Sequence, residues 1–294
     1  MCAERRRTPP RIMELASALS MDAPVVALVW QELFARALGV SVGWAGRVVL
    51  GLAVWVIYAA DRWFDGRRIP EGMAVTPRHR FAVRFRWPIA VAMVCAAGLG
   101  LAVALTQLEG AVVRLGLALG GGVAGYLALN QATPRGWGLR LPKELVAALL
   151  FGAGTLLLPM ARAGSVGVWT AAAGGLYIGL CFINLVAVAA WDRDRDLAQG
   201  QASIATGTAA VTRALPAGAW ALAAAALGLG IAELVAGGGG GAAAVPLCEA
   251  ASGAGLGLLL SERGPGTADL RALVADVALL TPLPVLAAMA LLGR

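Results

Sequence analysis

The segment 168–196, VWTAAAGGLYIGLCFINLVAVAAWDRDRD, decides the fold class of this chain. Its first 24 residues carry no charged side chain, and a helix of about 20 apolar residues crosses the roughly 30 Å hydrocarbon core of a bilayer. The segment 51–66, GLAVWVIYAADRWFDG, follows the same plan, because an apolar run again ends in an acidic cluster. We therefore predict two membrane-spanning helices that each carry aspartates into the polar region beside the bilayer.

The two acidic clusters share one internal spacing. Asp61 and Asp65 are four residues apart, as are Asp192 and Asp196, so each pair projects from one face of a helix. Magnesium binds carboxylate oxygens together with substrate phosphates, so two such pairs facing each other would suit a substrate that bears a diphosphate. Asp194 would point away from that face. The alternative is that these acids are solvated and paired with neighbouring arginines, Arg62, Arg193 and Arg195.

The composition is that of a membrane protein. Hydrophobic residues make up 59% of the 294 residues and charged residues 14%, with a mean hydropathy of +0.76. A soluble domain carries about 25% charged residues. A soluble protein of this size would also have too few outer helices to shield so many helices that are hydrophobic on all sides. We therefore predict an all-α integral membrane protein in which residues 1–294 form one transmembrane domain surrounded by membrane lipids.

Nine stretches are long and apolar enough to be predicted as transmembrane helices. They cover residues 23–40, 42–60, 87–107, 111–131, 142–160, 167–190, 214–236, 242–260 and 270–292. With the N-terminus in the cytoplasm, 19 of the 24 basic residues lie on the cytoplasmic side and four on the other side, as the positive-inside rule requires. This orientation predicts a bacterial-type inner-membrane protein with both acidic clusters cytoplasmic, whereas eight or ten spans would place one cluster outside.

The residue types also narrow the chemistry. The arginines stand in short segments between apolar stretches and not on a basic helix with interleaved aromatics, so no nucleic-acid partner is expected. The four cysteines are far apart, which argues against a disulfide framework or a CxxC zinc site, and His79 is the only histidine. Any reaction must therefore run on carboxylates, arginines, tyrosines and a metal.

The two clusters resemble the Asp-rich motifs of the UbiA superfamily of intramembrane prenyltransferases. The first family motif, NDxxDxxxD, is similar to IYAADRWFD at 57–65, where Asp61 and Asp65 match its last two aspartates. The second, DxxxD followed by a glycine and a Lys-Ser pair, is similar to DRDRDLAQGQAS at 192–203. Its matching positions are Asp192, Asp196, Gly200 and Ser203. The resemblance implies a bundle of nine transmembrane helices with both motifs on cytoplasmic loops.

The resemblance also implies a reaction. Such enzymes transfer a polyprenyl group from its diphosphate to an aromatic or related acceptor, and magnesium held by the four aspartates would neutralise the leaving diphosphate. Two departures from the pattern keep other functions open: Ile57 and Tyr58 replace the family's Asn and first Asp, and Ala202 replaces its Lys. The alternatives are a membrane terpene cyclase or lipid-modifying relative, and a non-enzymatic carrier of lipids or divalent cations.

Five more residues are candidates for substrate binding. Arg67 and Arg68 follow the first cluster and could bind phosphate oxygens, although a basic anchor at lipid headgroups also explains them. Lys143 opens the fifth span where the family often has a basic residue, with snorkelling to the headgroups as the alternative. Tyr58, one turn before the first cluster, could stabilise a carbocation or belong to an interfacial aromatic belt. Asn184, two turns before the second, could orient the acceptor or bond a neighbouring helix.

Three of the acids that fall inside the predicted spans are Glu144, Glu249 and Asp276. A carboxylate at such a depth is costly unless it is paired or faces a cavity. The sequence names no partner for any of the three.

Overall fold

The fold is a bundle of α-helices. A computed structural model describes residues 21–68, 85–132, 142–199, 203–237, 240–261 and 267–292, and their side chains except at 65–68, 130–132 and 199. The helices are α1 (Asp22–Ala37), α2 (Gly43–Arg68), α3 (Arg86–Gln107), α4 (Gly110–Ala132), α5 (Lys143–Ala163), α6 (Val168–Trp191), α7 (Arg193–Gln199), α8 (Ile204–Gly207), α9 (Ala209–Val235), α10 (Gly240–Ser261), α11 (Ala268–Ala278) and α12 (Pro282–Leu291). All regular secondary structure in the described ranges is helical, which confirms the prediction of an all-α protein.

Eight segments of the described chain are long and apolar enough to cross a membrane, as expected of an integral membrane protein. They correspond to α2, α3, α4, α5, α6, α9, α10 and the pair α11–α12, and they match eight of the nine predicted spans. The first predicted span is α1, which has 16 residues. A helix of that length rises about 24 Å, less than the bilayer core, so a crossing by α1 stays a prediction.

The centre of the bundle is built around α1 and α6. Trp30 and Phe34 of α1 are fully buried, and the ring centroid of Trp30 lies 4.8 Å from that of Tyr177 on α6. Leu180 of α6 and Leu256 of α10 complete this core. Helices α3 and α4 instead expose most of their apolar side chains, which is the expected arrangement for helices covered by lipid. Within the inner helices, the buried polar side chains include Glu144, Asn184 and Glu249.

Helices α2 and α6 run in the same direction, and α5 runs opposite to both. Gly46 near the start of α2 lies against Leu158 near the end of α5, and Gly174 near the start of α6 lies against Met160. The C-terminal ends of α2 and α6 therefore share one end of the bundle with the N-terminal end of α5. We name this the acidic end, because it carries both acidic clusters.

The last predicted span consists of two helices, α11 and α12, with a break between them. Pro282 has no N–H with which to continue α11. Leu283 donates its N–H to the Leu280 carbonyl at 3.0 Å and leaves the Leu279 carbonyl without its helical partner. Trp30 Nε1 donates to that Leu279 oxygen at 2.8 Å. Because an unpaired carbonyl is costly in an apolar interior, Trp30 stabilises the break.

Close packing of α5 on α6 gives a first testable prediction. A Cβ added at Gly152 would lie 2.5 Å from Ile178 Cγ1, whereas one added at Gly121 on α4 would meet nothing within 4 Å. We expect Gly152→Ala to lower the free energy of unfolding by about 1–3 kcal/mol through overpacking. Gly121→Ala should leave stability unchanged or raise it by up to about 1 kcal/mol, because alanine favours helix. Thermal unfolding of both variants in the same detergent tests this, and equal midpoints would contradict the packing described.

Candidate functional site

Both predicted acidic clusters lie at the acidic end of the bundle. Asp61 is half-buried near the C-terminus of α2. Its neighbour Arg62 places Nη2 3.9 Å from Oδ2 of Asp22, at the start of α1. The last turn of α2 contains three more predicted site residues, whose side chains lie outside the described part: Asp65, Arg67 and Arg68. Their predicted roles stay predictions.

An arginine ties the second cluster to α11. Asp192 caps α6, and its Oδ1 accepts a hydrogen bond from Arg195 Nη1 at 2.7 Å. The same Nη1 lies 2.9 Å from Oδ1 of Asp269, and Nη2 lies 3.3 Å from Oδ2. The three side chains are 33–36% exposed, so water screens each ion pair to about 0–1 kcal/mol. Burial opposes the charge of Arg195, but Asp269 and Asp192 raise its pKa above the ordinary value.

Asp196 lies one turn beyond Asp192, as the spacing predicts. Its N–H donates to the Asp192 carbonyl at 2.9 Å. Burial raises the pKa of the Asp196 carboxyl, while the charge of Lys143 and the Ser203 hydroxyl oppose the rise. Without a cation, this carboxyl therefore keeps its proton to a higher pH than an exposed aspartate. Lys143, at the start of α5, lies within electrostatic reach of the second cluster.

Glu144 forms a hydrogen bond with the backbone of the segment that follows the second motif. Its side chain is buried, and Oε1 accepts the N–H of Ile204, the first residue of α8, at 3.1 Å. Ser203 and Thr206 form a capping box around the same turn. An acidic oxygen satisfies the free N–H groups at a helix start. Glu144 therefore joins the start of α5 to the segment after the second cluster.

Three polar side chains from different helices form what we name the inner polar layer: Tyr58, Asn184 and Asp276. Asn184 Nδ2 donates to Asp276 Oδ1 at 3.2 Å, which joins α6 to α11. The phenol of Tyr58 on α2 interacts electrostatically with the Asp276 carboxylate. Asn184 precedes Asp192 by eight residues and Asp276 follows Asp269 by seven. Along their helices, Asn184 and Asp276 therefore lie about 10–12 Å from Asp192 and Asp269, at 1.5 Å per residue, whereas Tyr58 is only about 4–5 Å from Asp61.

The structure separates the aspartates of the second cluster as the sequence predicts. The side chain of Asp194 is fully exposed, and its Oδ1 is 4.0 Å from Arg193. The sequence also allowed the aspartates to be paired with neighbouring arginines instead of binding a metal. This pairing is found for Asp192, which forms an ion pair with Arg195. Arg62 pairs with Asp22. Asp192 and Asp196 are therefore distinguished from Asp194 by position, and Asp192 already has a cationic partner.

Sequence reasoning missed the partners of the acids within the spans. Asp276 lies 92 residues from its partner Asn184, and Asp269, which immediately precedes the last predicted span, lies 74 residues from Arg195. The only sign of these partners in the sequence was energetic, because a carboxylate at such a depth in the membrane requires a partner. Glu249 is fully buried, and neither carboxyl oxygen has a hydrogen-bond partner among the described residues. Nothing in that part of the chain explains Glu249.

The side chains at the acidic end offer the type of donor atom that magnesium prefers. Asp61, Asp192 and Asp196 supply carboxylate oxygens, which hard cations prefer. Asp192 and Asp196 also interact electrostatically with each other. Within the described ranges, no three side chains of His, Cys, Asp or Glu are grouped so that they could hold a metal ion together; the side chain of Asp65 is outside those ranges. The role of these carboxylates as metal ligands stays a prediction.

Comparisons of the chain with models of protein families, with curated proteins and with solved structures found no match.

Proposed function

We propose that this protein is a membrane-embedded prenyltransferase of the UbiA type, which uses magnesium to transfer a polyprenyl group from its diphosphate to an aromatic or related acceptor. Eight apolar spans supply the bundle that a polyprenyl chain needs. The spacing of the two Asp-rich segments supplies the likeness to that superfamily. The observation that carries the proposal is that both segments lie at the same end of the bundle.

The shared end is supported by contacts between distant parts of the chain. Tyr58 of the first segment interacts electrostatically with Asp276, and Asp276 accepts a hydrogen bond from Asn184, two turns before the second segment. Lys143 and Glu144 at the start of α5 add an electrostatic and a hydrogen-bonded link to the second segment. Carboxylates from two helices at one mouth are the arrangement that a shared cation and diphosphate require.

Each group at the acidic end has a role in this reaction. Bound magnesium would neutralise the diphosphate as the allylic carbon–oxygen bond breaks. Asp61, Asp192 and Asp196 would hold the metal through carboxylate oxygens, and Lys143 would bind phosphate oxygens as a point charge. Arg195 orients Asp192 through their ion pair. The polyprenyl tail would run from there toward the apolar faces of the bundle.

Pyrophosphate release is the test of the proposed function. Purified protein in detergent should release pyrophosphate from geranylgeranyl or longer diphosphates when both magnesium and acceptor are present. Mass spectrometry should find the acceptor heavier by one prenyl group. Release no faster than in a protein-free blank, or equal release with magnesium chelated, would contradict the proposal.

One observation favours a second candidate, a non-enzymatic carrier of divalent cations or lipids. Asp192 is already paired with Arg195, so it would have to exchange that partner to hold a metal. Ile57, Tyr58 and Ala202 also depart from the family pattern at three positions. A carrier should copurify with isoprenoid lipids or bind divalent cations while releasing no pyrophosphate. A mass spectrum of the copurified lipids, read beside the turnover assay, separates the two candidates.

The orientation in the membrane gives a further prediction. We expect the acidic end to be cytoplasmic, because the basic residues are concentrated on that side of the predicted spans. Asp194→Cys, at a fully exposed side chain, should react with a membrane-impermeant maleimide in inverted vesicles but not in intact cells. Ser165→Cys, in the exposed turn at the opposite end, serves as the matched control and should show the reverse pattern. The opposite result for both variants would invert the topology.

A further inference from the structure

A cleft lies at the end of the bundle opposite the acidic end. Four helices form it, because α1 and α9 end there and α6 and α10 begin there. Its volume is about 330 Å³ including the part open to the surroundings, and only a small group fits in the enclosed remainder. The residues that give the cleft its chemical character are Phe34, Trp169, Thr170, Glu233, Ala242 and Pro246. None of these six has a role in the proposed prenyl transfer.

Glu233 gives the cleft a negative charge. Its side chain is half-buried, and its carboxylate forms no hydrogen bond or ion pair with any described residue. Two other acids at this end already have cationic partners. Glu32 Oε2 lies 2.8 Å from Arg47 Nη2, and Glu109 Oε1 lies 2.9 Å from Arg162 Nη2. The Glu233 carboxylate is therefore available to pair with a cationic ligand.

The four helices around the cleft offer little positive charge to Glu233. Neither α6 nor α10 contains a basic residue. Arg213 of α9 lies 20 residues before Glu233, about 30 Å along the helix. Arg36 of α1 already places its Nε 3.1 Å from Glu32 Oε1. Two helix C-termini and two N-termini meet here, so their dipoles largely cancel, and the charge of Glu233 makes the cleft favour a cation.

Two uncharged oxygens line the same cleft. Pro246 has no N–H, so the carbonyl of Ala242, four residues earlier in α10, lacks its helical hydrogen bond. The Thr170 side chain adds a hydroxyl, which can accept a hydrogen bond. A primary ammonium group has three N–H donors, as in the lysine side chain. One carboxylate, one carbonyl and one hydroxyl match those three donors in number and kind.

The rest of the surroundings is apolar. Phe34 and Trp169 line the cleft, and the face of an aromatic ring attracts a cation. On α9, the neighbours of Glu233 include the exposed apolar side chains Ile231, Leu234 and Val235. Apolar side chains on the outer face of a membrane-spanning helix are covered by lipid. A ligand with an ammonium head and an alkyl chain therefore fits both the cleft and the face of α9 beside it.

We propose that this cleft binds a primary alkylammonium group, supplied by the headgroup of an ethanolamine lipid or by a free amine. The ammonium donates one N–H to the Glu233 carboxylate and the other two to the Thr170 hydroxyl and the Ala242 carbonyl, while the alkyl part lies along α9. A choline headgroup carries the same positive charge but has no N–H to donate, so it should bind more weakly. The cleft and the acidic clusters are at opposite ends of the bundle, so this inference goes beyond the proposed function and does not depend on it.

Two lipids that differ only in the headgroup test the proposal. Full-length protein in detergent, without magnesium or any diphosphate, is titrated with ethanolamine or choline phospholipids of identical acyl chains. Native mass spectrometry counts the bound lipids and gives the dissociation constant of the first one. We expect the ethanolamine lipid to bind at least about tenfold more tightly, because hydrogen bonds between charged partners are the strong ones. In a second arm, butylamine is added as a competitor, with butan-1-ol as the uncharged control.

Variants assign the preference to the cleft. Glu233→Gln keeps the shape and removes the charge, so the affinities for the two lipids should then differ by less than about threefold. Thr170→Val removes one acceptor and should weaken binding of the ethanolamine lipid about threefold. Glu109→Gln is the matched control, because it makes the same change at the same end of the bundle but outside the cleft, and it should keep the full preference. Thermal unfolding checks each fold, and Thr170→Val keeps the test decisive if Glu233→Gln does not fold.

The two arms separate the sources of the ammonium group. Displacement of the ethanolamine lipid by butylamine but not by butan-1-ol supports the site and shows that a free amine fills it. A lipid preference that butylamine does not disturb supports the site and assigns it to the lipid headgroup. Equal binding of both lipids with no effect of butylamine, or a preference that survives in Glu233→Gln, overturns the inference and leaves the proposed prenyl transfer standing.

Discussion

Replacing Asp61 and Asp192 together by asparagine is expected to abolish magnesium-dependent pyrophosphate release. Asparagine keeps the shape of each side chain but removes the negative charge that holds the cation. Loss of one group that stabilises developing charge costs about 10²–10³-fold in rate, so the double variant should be indistinguishable from a protein-free blank. Arg195 keeps its contacts with Asp269, and the bundle should therefore remain folded.

Asp194→Asn is the matched control, because it makes the same change in the same segment at a fully exposed side chain. It should release pyrophosphate at the wild-type rate. Thermal unfolding of all variants checks that any loss of activity is not a loss of fold. Full activity in the double variant would remove Asp61 and Asp192 from the chemistry. Equal losses in the double variant and the control would show that the activity depends on surface charge and not on the position of these two residues.

The largest expected effect on stability follows from Trp30. Its side chain is fully buried, packs on Tyr177 and Phe34, and donates to the Leu279 carbonyl at the break between α11 and α12. Trp30→Ala should destabilise the protein by about 3–5 kcal/mol, because it leaves a large cavity at the centre of the bundle. Trp30→Phe keeps most of the volume and removes the hydrogen bond, which contributes about 0.5–1.5 kcal/mol.

Trp44→Ala controls for the general effect of removing a tryptophan, since this side chain is 59% exposed on the surface of α2. Unfolding midpoints should fall in the order Trp44→Ala, Trp30→Phe, Trp30→Ala, with the last lowest. Guanidinium or thermal unfolding in one detergent gives all three midpoints. A Trp30→Ala protein as stable as Trp44→Ala would show that α1 is not the core element described here.

The spans could be predicted because the bilayer imposes a simple rule on length and composition. The helix α6 (Val168–Trp191) lies within one residue of the predicted span at each end, and α3 (Arg86–Gln107) agrees equally well. The clusters could be placed at one end because an even number of predicted spans separates them. Helical spacing alone predicted that Asp194 would point away from the face of Asp192 and Asp196, and its side chain is fully exposed.

The long-range contacts could not be predicted, because no local pattern encodes them. The Asn184–Asp276 hydrogen bond joins residues 92 apart, and the Glu144 contact with Ile204 joins residues 60 apart. The central place of α1 was also hidden, since Gln31 and Glu32 interrupt its apolar run. The Trp30 donor that stabilises the break before Pro282 lies on a helix at the other end of the chain.

The most direct measurement of the central claim is a double-mutant cycle on manganese binding, read by electron paramagnetic resonance with inorganic pyrophosphate present. Wild-type protein, Asp61→Asn, Asp192→Asn and the double variant are titrated with Mn²⁺ in the same detergent. If the two clusters share one cation–diphosphate site, either single variant should lose most of the affinity and the double variant little more, which gives a large coupling energy. Strictly additive losses, or manganese binding that survives in the double variant, would contradict a shared site at the acidic end.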